Sequence, residues 1–201
     1  MTPAAISLSD ILAARERIAG RIEQTALVTS STLSETLGVP VHLKLEHRQT
    51  TGSFKLRGAT NAITLLGEEE RKHGVVAAST GNHGRALAHA AKAEGIRATI
   101  CMSRLVPDNK VSEIRRLGAE IRIVGNSQDD AQVEVERLVA DEGMTMVPPS
   151  IIPASSRVRE RSASKSSTRF QRSRQCWCRF RAAGLRQASR PPSRAGRHRH
   201  G

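Results

Sequence analysis

Residues 75–84 read VVAASTGNHG: four apolar residues, then six that are small or hydrogen-bonding, followed by an alanine-rich stretch, RALAHAAKA, at 85–93. A short apolar run closed by serine and glycine reads as a buried strand, and the alanine-rich continuation, opened by Asn82, reads as a helix packed against it. The same unit recurs on the C-terminal side, where 98–102 (ATICM) precedes a helical pattern at 109–117 and 121–124 (IRIV) precedes one at 129–140. On the N-terminal side, Gly38, Val39 and Pro40 form a turn into the alternating run 41–46 (VHLKLE), and helical pattern resumes from Phe54 to Leu66. Residues 7–19 place Ile11, Leu12, Ala14 and Ile18 at helical spacing, with Ser9 or Asp10 able to cap the start. Alternating strands and helices predict an α/β fold: an open parallel sheet with flanking helices and right-handed crossovers. In such sheets ligands sit at the carboxyl ends of the strands, where strand-to-helix loops present free backbone N–H groups.

Charge divides the chain. Of its 201 residues, 32 are Lys or Arg and 19 Asp or Glu, a net charge of +13 that by itself suggests a nucleic-acid partner. Residues 150–201 hold 14 of the bases and a single acid, Glu160, leaving 18 of each sign in residues 1–149. The first part is neutral and well patterned; the second carries the whole excess. No apolar run approaches the roughly 20 residues needed to cross a bilayer, and MTPAAISLSD lacks the basic-then-apolar pattern of a secretory signal. The expectation is a cytoplasmic protein without a membrane partner. Cys101, Cys176 and Cys178 are too few for a disulfide framework and lack the partners of a zinc site, so no metal is expected. There is no internal repeat.

Two loops concentrate chemistry. In TTGSFKLRGA, 50–59, a lysine stands in the first turn of a helix. The positive end of the helix dipole disfavours an ammonium, as does partial burial beside Phe54, and both lower the amine's pKa. A neutral amine is a nucleophile able to condense with an aldehyde. Taken alone, Lys55 reads first as a solvated lysine near a helix start. In STGNHG, 79–84, Gly81 and Gly84 allow close approach to the backbone, and Ser79, Thr80, Asn82 and the helix amides suit a carboxylate. Taken alone, this is an ordinary capped turn, and His83 an ordinary structural hydrogen bonder.

Together and in this order, TTGSFKLRGATNA and ASTGNHGRALAHAAK resemble the fold type II pyridoxal phosphate enzymes (tryptophan synthase β-like), specifically the threonine and serine dehydratases. The resemblance continues through KVSEIRRLGAEIRIVG and covers about residues 8–149; LVPDNKVSEIRRLGAEIRIVGNSQDDAQ is most similar to dehydratases of hydroxyectoine utilisation. It implies pyridoxal 5'-phosphate as cofactor, with Lys55 as Schiff-base lysine and proton shuttle, Phe54 against the cofactor ring and Asn82 on its 3-hydroxyl. Ser79, Thr80, Gly81, Asn82 and His83 would hold the substrate carboxylate. The implied reaction is α,β-elimination on a β-hydroxy amino acid, giving a keto acid and ammonia. Members of the family are expected to be homo-oligomers. Gln24, Thr25, Ala26 and Leu27 stand where the family has Thr-Pro-Leu, so Ala26 loses a rigid turn but no chemical group. The resemblance also implies a division into 1–48, the start of a large domain, and 49–149, a small α/β domain with the lysine and the STGNHG loop, with the C-terminal part missing.

Residues 150–201 do not continue the family. They are dense in Arg and Ser without a period of 2 or 3.6, a composition that predicts disorder. The genetic code supplies another reading. Joining the third base of each codon to the first two of the next turns Cys176-Trp177 into leucine and Trp177-Cys178 into valine whichever cysteine codon is used. With permissible codon choices, 180–190 becomes SGGGLAAGIA, the glycine-rich phosphate loop the family requires. The tail is therefore read as an out-of-frame translation beginning near Pro149, and this chain as an impaired enzyme. The other readings are a nonfunctional gene fragment and a nucleic-acid-binding extension whose arginines attract phosphate while Trp177 or Phe180 stacks on bases; no binding module surrounds those residues, so no specific nucleic-acid partner is expected.

Overall fold

The computed structural model describes residues 6–149, which lie within the first of the chain's two compact units. The expectations for the tail at 150–201, including its disorder, fall outside the described residues. In chain order the elements are α1 (Leu8–Arg17), β1 (Leu27–Thr29), α2 (Ser31–Leu37), β2 (His42–Lys44), a short 3-10 turn (Glu46–Arg48), α3 (Lys55–Thr64), α4 (Glu68–His73), β3 (Val75–Ala78), α5 (Asn82–Ala93), β4 (Ala98–Met102), α6 (Asp108–Arg116), β5 (Glu120–Ile123), α7 (Gln128–Glu142) and β6 (Thr145–Met146).

The expected parallel sheet is present, four strands in the order β5-β4-β3-β6, every pair parallel. Val75 pairs with Ala98 and Ala78 with Cys101, so the two central strands run in register to the site end of the sheet. Alternation along the strands sends Val75, Ala77, Ile100 and Met102 into one apolar cluster and Val76 and Cys101 into another. The first cluster is closed by Leu56, Ala59 and Ile63 of α3, Ala86, Leu87, Ala90 and Ala91 of α5, and Val111 and Ile114 of α6. The second is closed by Ala131, Val135 and Leu138 of α7. Helices thus cover both faces, and β4 is buried along its whole length, which is why it reads as a continuous apolar run rather than an alternating one. The alanines of α5 let α3 pack closely upon it, which brings the first residue of α3, Lys55, beside the sheet end.

Residues 41–46 form a strand only at 42–44, and that strand lies outside the parallel sheet. It pairs antiparallel with β1, Leu27 opposite Lys44 and Thr29 opposite His42, in a separate two-stranded sheet. The alternation is genuine strand pattern, but the partner is an equally short strand 13 to 17 residues earlier that carries no burial signal. The first helix is capped neither by Ser9 nor by Asp10 but by Ser7, whose side chain accepts from Asp10 N–H while the Asp10 carboxylate accepts from Ser7 N–H. Ile11 and Leu12, the expected inner face of α1, are exposed, and only Ile18, just past the helix, is buried. Among the described residues no helix is long and apolar enough to cross a membrane, and no group of His, Cys, Asp and Glu is arranged to hold a metal ion.

Candidate active site

The site forms where β3 ends and α5 begins. Gly81 stands at the N-cap of α5 and has no side chain to satisfy the first-turn amides. Ser79 takes over that task from two residues upstream: its Oγ accepts from Gly84 N–H at 2.9 Å and, more weakly, from Gly81 N–H at 3.4 Å. Ser79 thereby folds the loop back on itself, leaving its hydroxyl proton to donate elsewhere. Among the described residues the N–H groups of Asn82 and His83 take no hydrogen bond, and Thr80 makes none with its hydroxyl. A Cβ at Gly81 would meet nothing within 4 Å, so the loop faces open space there.

Gly84 does something else. A Cβ at this position would lie 3.1 Å from Ile114 Cδ1, 3.2 Å from Ser79 O and 3.3 Å from Ile100 Cγ2. Its missing side chain serves the close packing of α5 on β4 and α6, so only Gly81 of the two glycines gives a ligand access to backbone.

Lys55 is half-buried, with Nζ 5.4 Å from the centre of the Phe54 ring and donating to the Pro149 carbonyl at 2.6 Å. Burial lowers its pKa from the ordinary lysine value, the direction expected from the sequence. His83, on α5, is buried and its Nε2 hydrogen-bonds the Val147 carbonyl at 2.9 Å. A carbonyl only accepts, so the proton sits on Nε2. Burial is the main cause that lowers the His83 pKa; the Val147 carbonyl opposes it and the nearby Lys55 charge reinforces it. His83 is therefore neutral at pH 7, with an unprotonated Nδ1. The two side chains reach carbonyls two residues apart on the segment that follows β6, which draws the two sequence motifs onto one end of the sheet.

In the loop just before Lys55, the hydroxyls of Thr51 and Ser53 are buried with no hydrogen-bond partner among the described residues. Buried polar groups are almost always paired, so these two hydroxyls are an exception in the loop that leads into the lysine. Asn82 is exposed, with Oδ1 accepting from Arg85, whose Nη1 grips both oxygens of Glu113 at 2.9 and 3.0 Å. The residues picked out in the two loops are thus gathered at one sheet end. The partners at Val147 and Pro149 were missed because they are backbone carbonyls that no side-chain motif encodes, and Arg85 because its contact depends on tertiary packing against α6.

The class is that of α/β proteins with a doubly covered parallel sheet, here with a half-buried lysine heading α3 and a small-residue turn heading α5 at one sheet end. The family model of pyridoxal-phosphate dependent enzymes matches residues 18–161, starting later and ending further on than the resemblance quoted above, and the chain belongs to that family. A relative from Sinorhizobium fredii, provisionally named a threonine dehydratase, is 68% identical over 144 residues, which is 72% of this chain and 43% of that protein. An L-threonine ammonia-lyase of Thermotoga maritima is 46% identical over 144 residues, 72% of this chain and 36% of its own length. Among solved structures, serine racemase of Dictyostelium discoideum superposes with a TM-score of 0.69 at 35% identity, covering 73% of this chain and 48% of that one. The chain thus spans less than half the length of each of these relatives, and its fold is that of the fold type II enzymes.

Pyridoxal phosphate fits what the described residues offer at its aldehyde end: an amine of lowered pKa, two orphaned buried hydroxyls in the loop before it, and open space over Gly81.

Proposed function

We propose that the chain derives from a lyase that eliminates water and then ammonia from a β-hydroxy amino acid, with threonine the first candidate and serine or a hydroxyectoine-derived hydroxy amino acid the others. The observation that carries this reading is the half-buried Lys55 amine, held by the Pro149 carbonyl and preceded in its loop by the orphaned Thr51 and Ser53 hydroxyls. When bound, pyridoxal phosphate supplies an aldehyde that takes up amines and a ring that withdraws electrons from the substrate α-carbon. Lys55 is the residue that would carry it. As a free amine, Lys55 would be the base for the substrate Cα proton, helped by a pKa that burial keeps low. Phe54 would lie against the cofactor ring and Asn82 would hydrogen-bond its 3-hydroxyl. The substrate carboxylate lies on the N-terminal amides of Asn82 and His83, in reach of the Ser79 and Thr80 hydroxyls and of the open backbone at Gly81. A neutral His83 adds no charge to compete with Lys55 for that carboxylate.

The domain reading goes with this function: residues 1–48 begin a larger domain and 49–149 make a smaller one that carries the site. So do the cytoplasmic location, the homo-oligomeric state and the out-of-frame origin of 150–201. On that last reading the phosphate loop is absent from the frame as translated, and turnover of threonine is slow. Resequencing the gene across the codons for residues 147–151 separates two origins of the shift: an added or missing base means an error in the recorded sequence and a full-length enzyme in the cell, and confirmed bases mean a genuine frameshift.

The function is tested by incubating the 201-residue chain with pyridoxal phosphate, reducing with borohydride and mapping the labelled peptide. Labelling concentrated on Lys55 and abolished in Lys55→Ala is the expected result. Labels spread over the exposed lysines to the same extent, or none at all, would refute it.

A further inference from the structure

We propose that Arg85 is a positioning residue that fixes which end of the Asn82 amide faces the cofactor. The inference rests on the functional reading above and concerns a residue that neither loop motif singles out. Arg85 lies one turn along α5 from Asn82 and donates through Nη2 to Asn82 Oδ1. A guanidinium has donors only, so the amide atom turned toward it must be the oxygen. The Asn82 Nδ2 is then the end left for a ligand, and it can only donate. Its natural counterpart is an acceptor, and the 3-oxygen of the cofactor is one, more so when ionised.

Arg85 is itself held. Its Nη1 bonds both carboxylate oxygens of Glu113 on α6, and its Nε is buried without a hydrogen-bond partner among the described residues. A guanidinium that tolerates an orphaned Nε is kept in place by its other two contacts, Glu113 and Asn82. The chain Glu113, Arg85, Asn82 thus runs from a helix on the apolar core to the edge of the site. Without it the exposed Asn82 side chain would sample several rotamers and both amide orientations, and binding would have to order it.

The experiment compares Arg85→Ala, Arg85→Lys, Asn82→Ala and the Arg85→Ala/Asn82→Ala pair in the full chain. In the unliganded protein, the side-chain ¹⁵N signals of Asn82 should be motionally restrained in the parent and loosened in Arg85→Ala. Pyridoxal phosphate uptake, measured by equilibrium dialysis, should weaken about three- to tenfold in Arg85→Ala, the cost of ordering one side chain. The long-wavelength absorption band of the bound cofactor should lose intensity, because donation to the 3-oxygen favours its ionised form. Arg85→Lys, which can still donate to Asn82 but cannot fork onto Glu113, should recover part of both effects. In the Asn82→Ala background, Arg85→Ala should change uptake no further. Effects that multiply in the double variant, or Asn82 signals unchanged by Arg85→Ala, would overturn the proposal. Should the parent take up no pyridoxal phosphate, the functional reading fails. The Asn82 signals then still decide the clamp, loosening in Arg85→Ala supporting it and indifference overturning it.

Discussion

Replacing Gly84 by alanine sets two effects of known sign against each other. On propensity alone, alanine in place of a helical glycine stabilises by up to about 1 kcal/mol. Against that stand three contacts of 3.1, 3.2 and 3.3 Å that the new methyl would make, all inside the 3.5–4.0 Å at which carbon atoms attract. Whether the neighbours can move decides the outcome. Ile114 Cδ1 ends a flexible side chain, but Ile100 Cγ2 belongs to a β-branched residue on a central strand, and Ser79 O is backbone in the loop that Ser79 Oγ ties to Gly84. Overpacking of this kind costs about 1–3 kcal/mol, so after the propensity gain the net expectation is destabilisation by up to about 2 kcal/mol. Urea denaturation measures it as a lower midpoint at unchanged slope. Adding Ile114→Val deletes the nearest atom; that change costs about 0.5–1.5 kcal/mol in the parent and should cost less beside Gly84→Ala. A Gly84→Ala chain as stable as the parent or more so would show that the methyl is accommodated and that Gly84 is not needed for packing.

Three further outcomes are expected. His83 has a folded pKa below its usual 6.5, so the stability it contributes is present above that value and is lost as pH falls through the folded pKa. Acidification from about 6.5 should destabilise the chain by no more than about 1.4 kcal/mol per pH unit, and His83→Gln, which can still donate to the Val147 carbonyl, should flatten that part of the curve; an unchanged slope in the variant would assign the effect elsewhere. Arg57 grips both oxygens of Glu46 at 2.8 and 2.9 Å and holds its carboxyl below the ordinary 4.5, so this pair contributes above that value and its contribution is lost as pH falls further. Arg57→Ala should cost about 1–3 kcal/mol at pH 7 and shrink the loss of stability on acidification below 4.5, as read by thermal melts across that range. Burial pushes the Cys101 thiol up to about 12, so a thiol reagent at pH 8 should label Cys101 only after denaturant is added; labelling of the native chain would contradict its burial.

The parallel sheet was legible because β3, β4 and their helices are long or apolar enough to carry a period: VVAA and ATICM have no other good reading, and Val111 and Ile114 point one way along α6. What escaped is short or unburied. The two-residue β6 exists only through pairing with β3, Leu27–Thr29 is exposed at every position, and the six-residue α4 is a run of charges held by its ends. Of the site, the amine and the glycine turn could be read directly, since backbone freedom and helix-start position are written in residue type. The difference between Gly81 and Gly84 could not, because it lies in what each glycine faces.

Both Lys55 and His83 end on main-chain carbonyls of the segment after β6. No point substitution at Val147 or Pro149 deletes those acceptors, so the two contacts that tie the site to the strand end are insulated from mutation there. In a family comparison the exposed position 149 would be free to drift in side chain while serving the same purpose, whereas the buried Val147 would be held only to an apolar residue of similar size, and a search for polar partners of the lysine and histidine would pass over both.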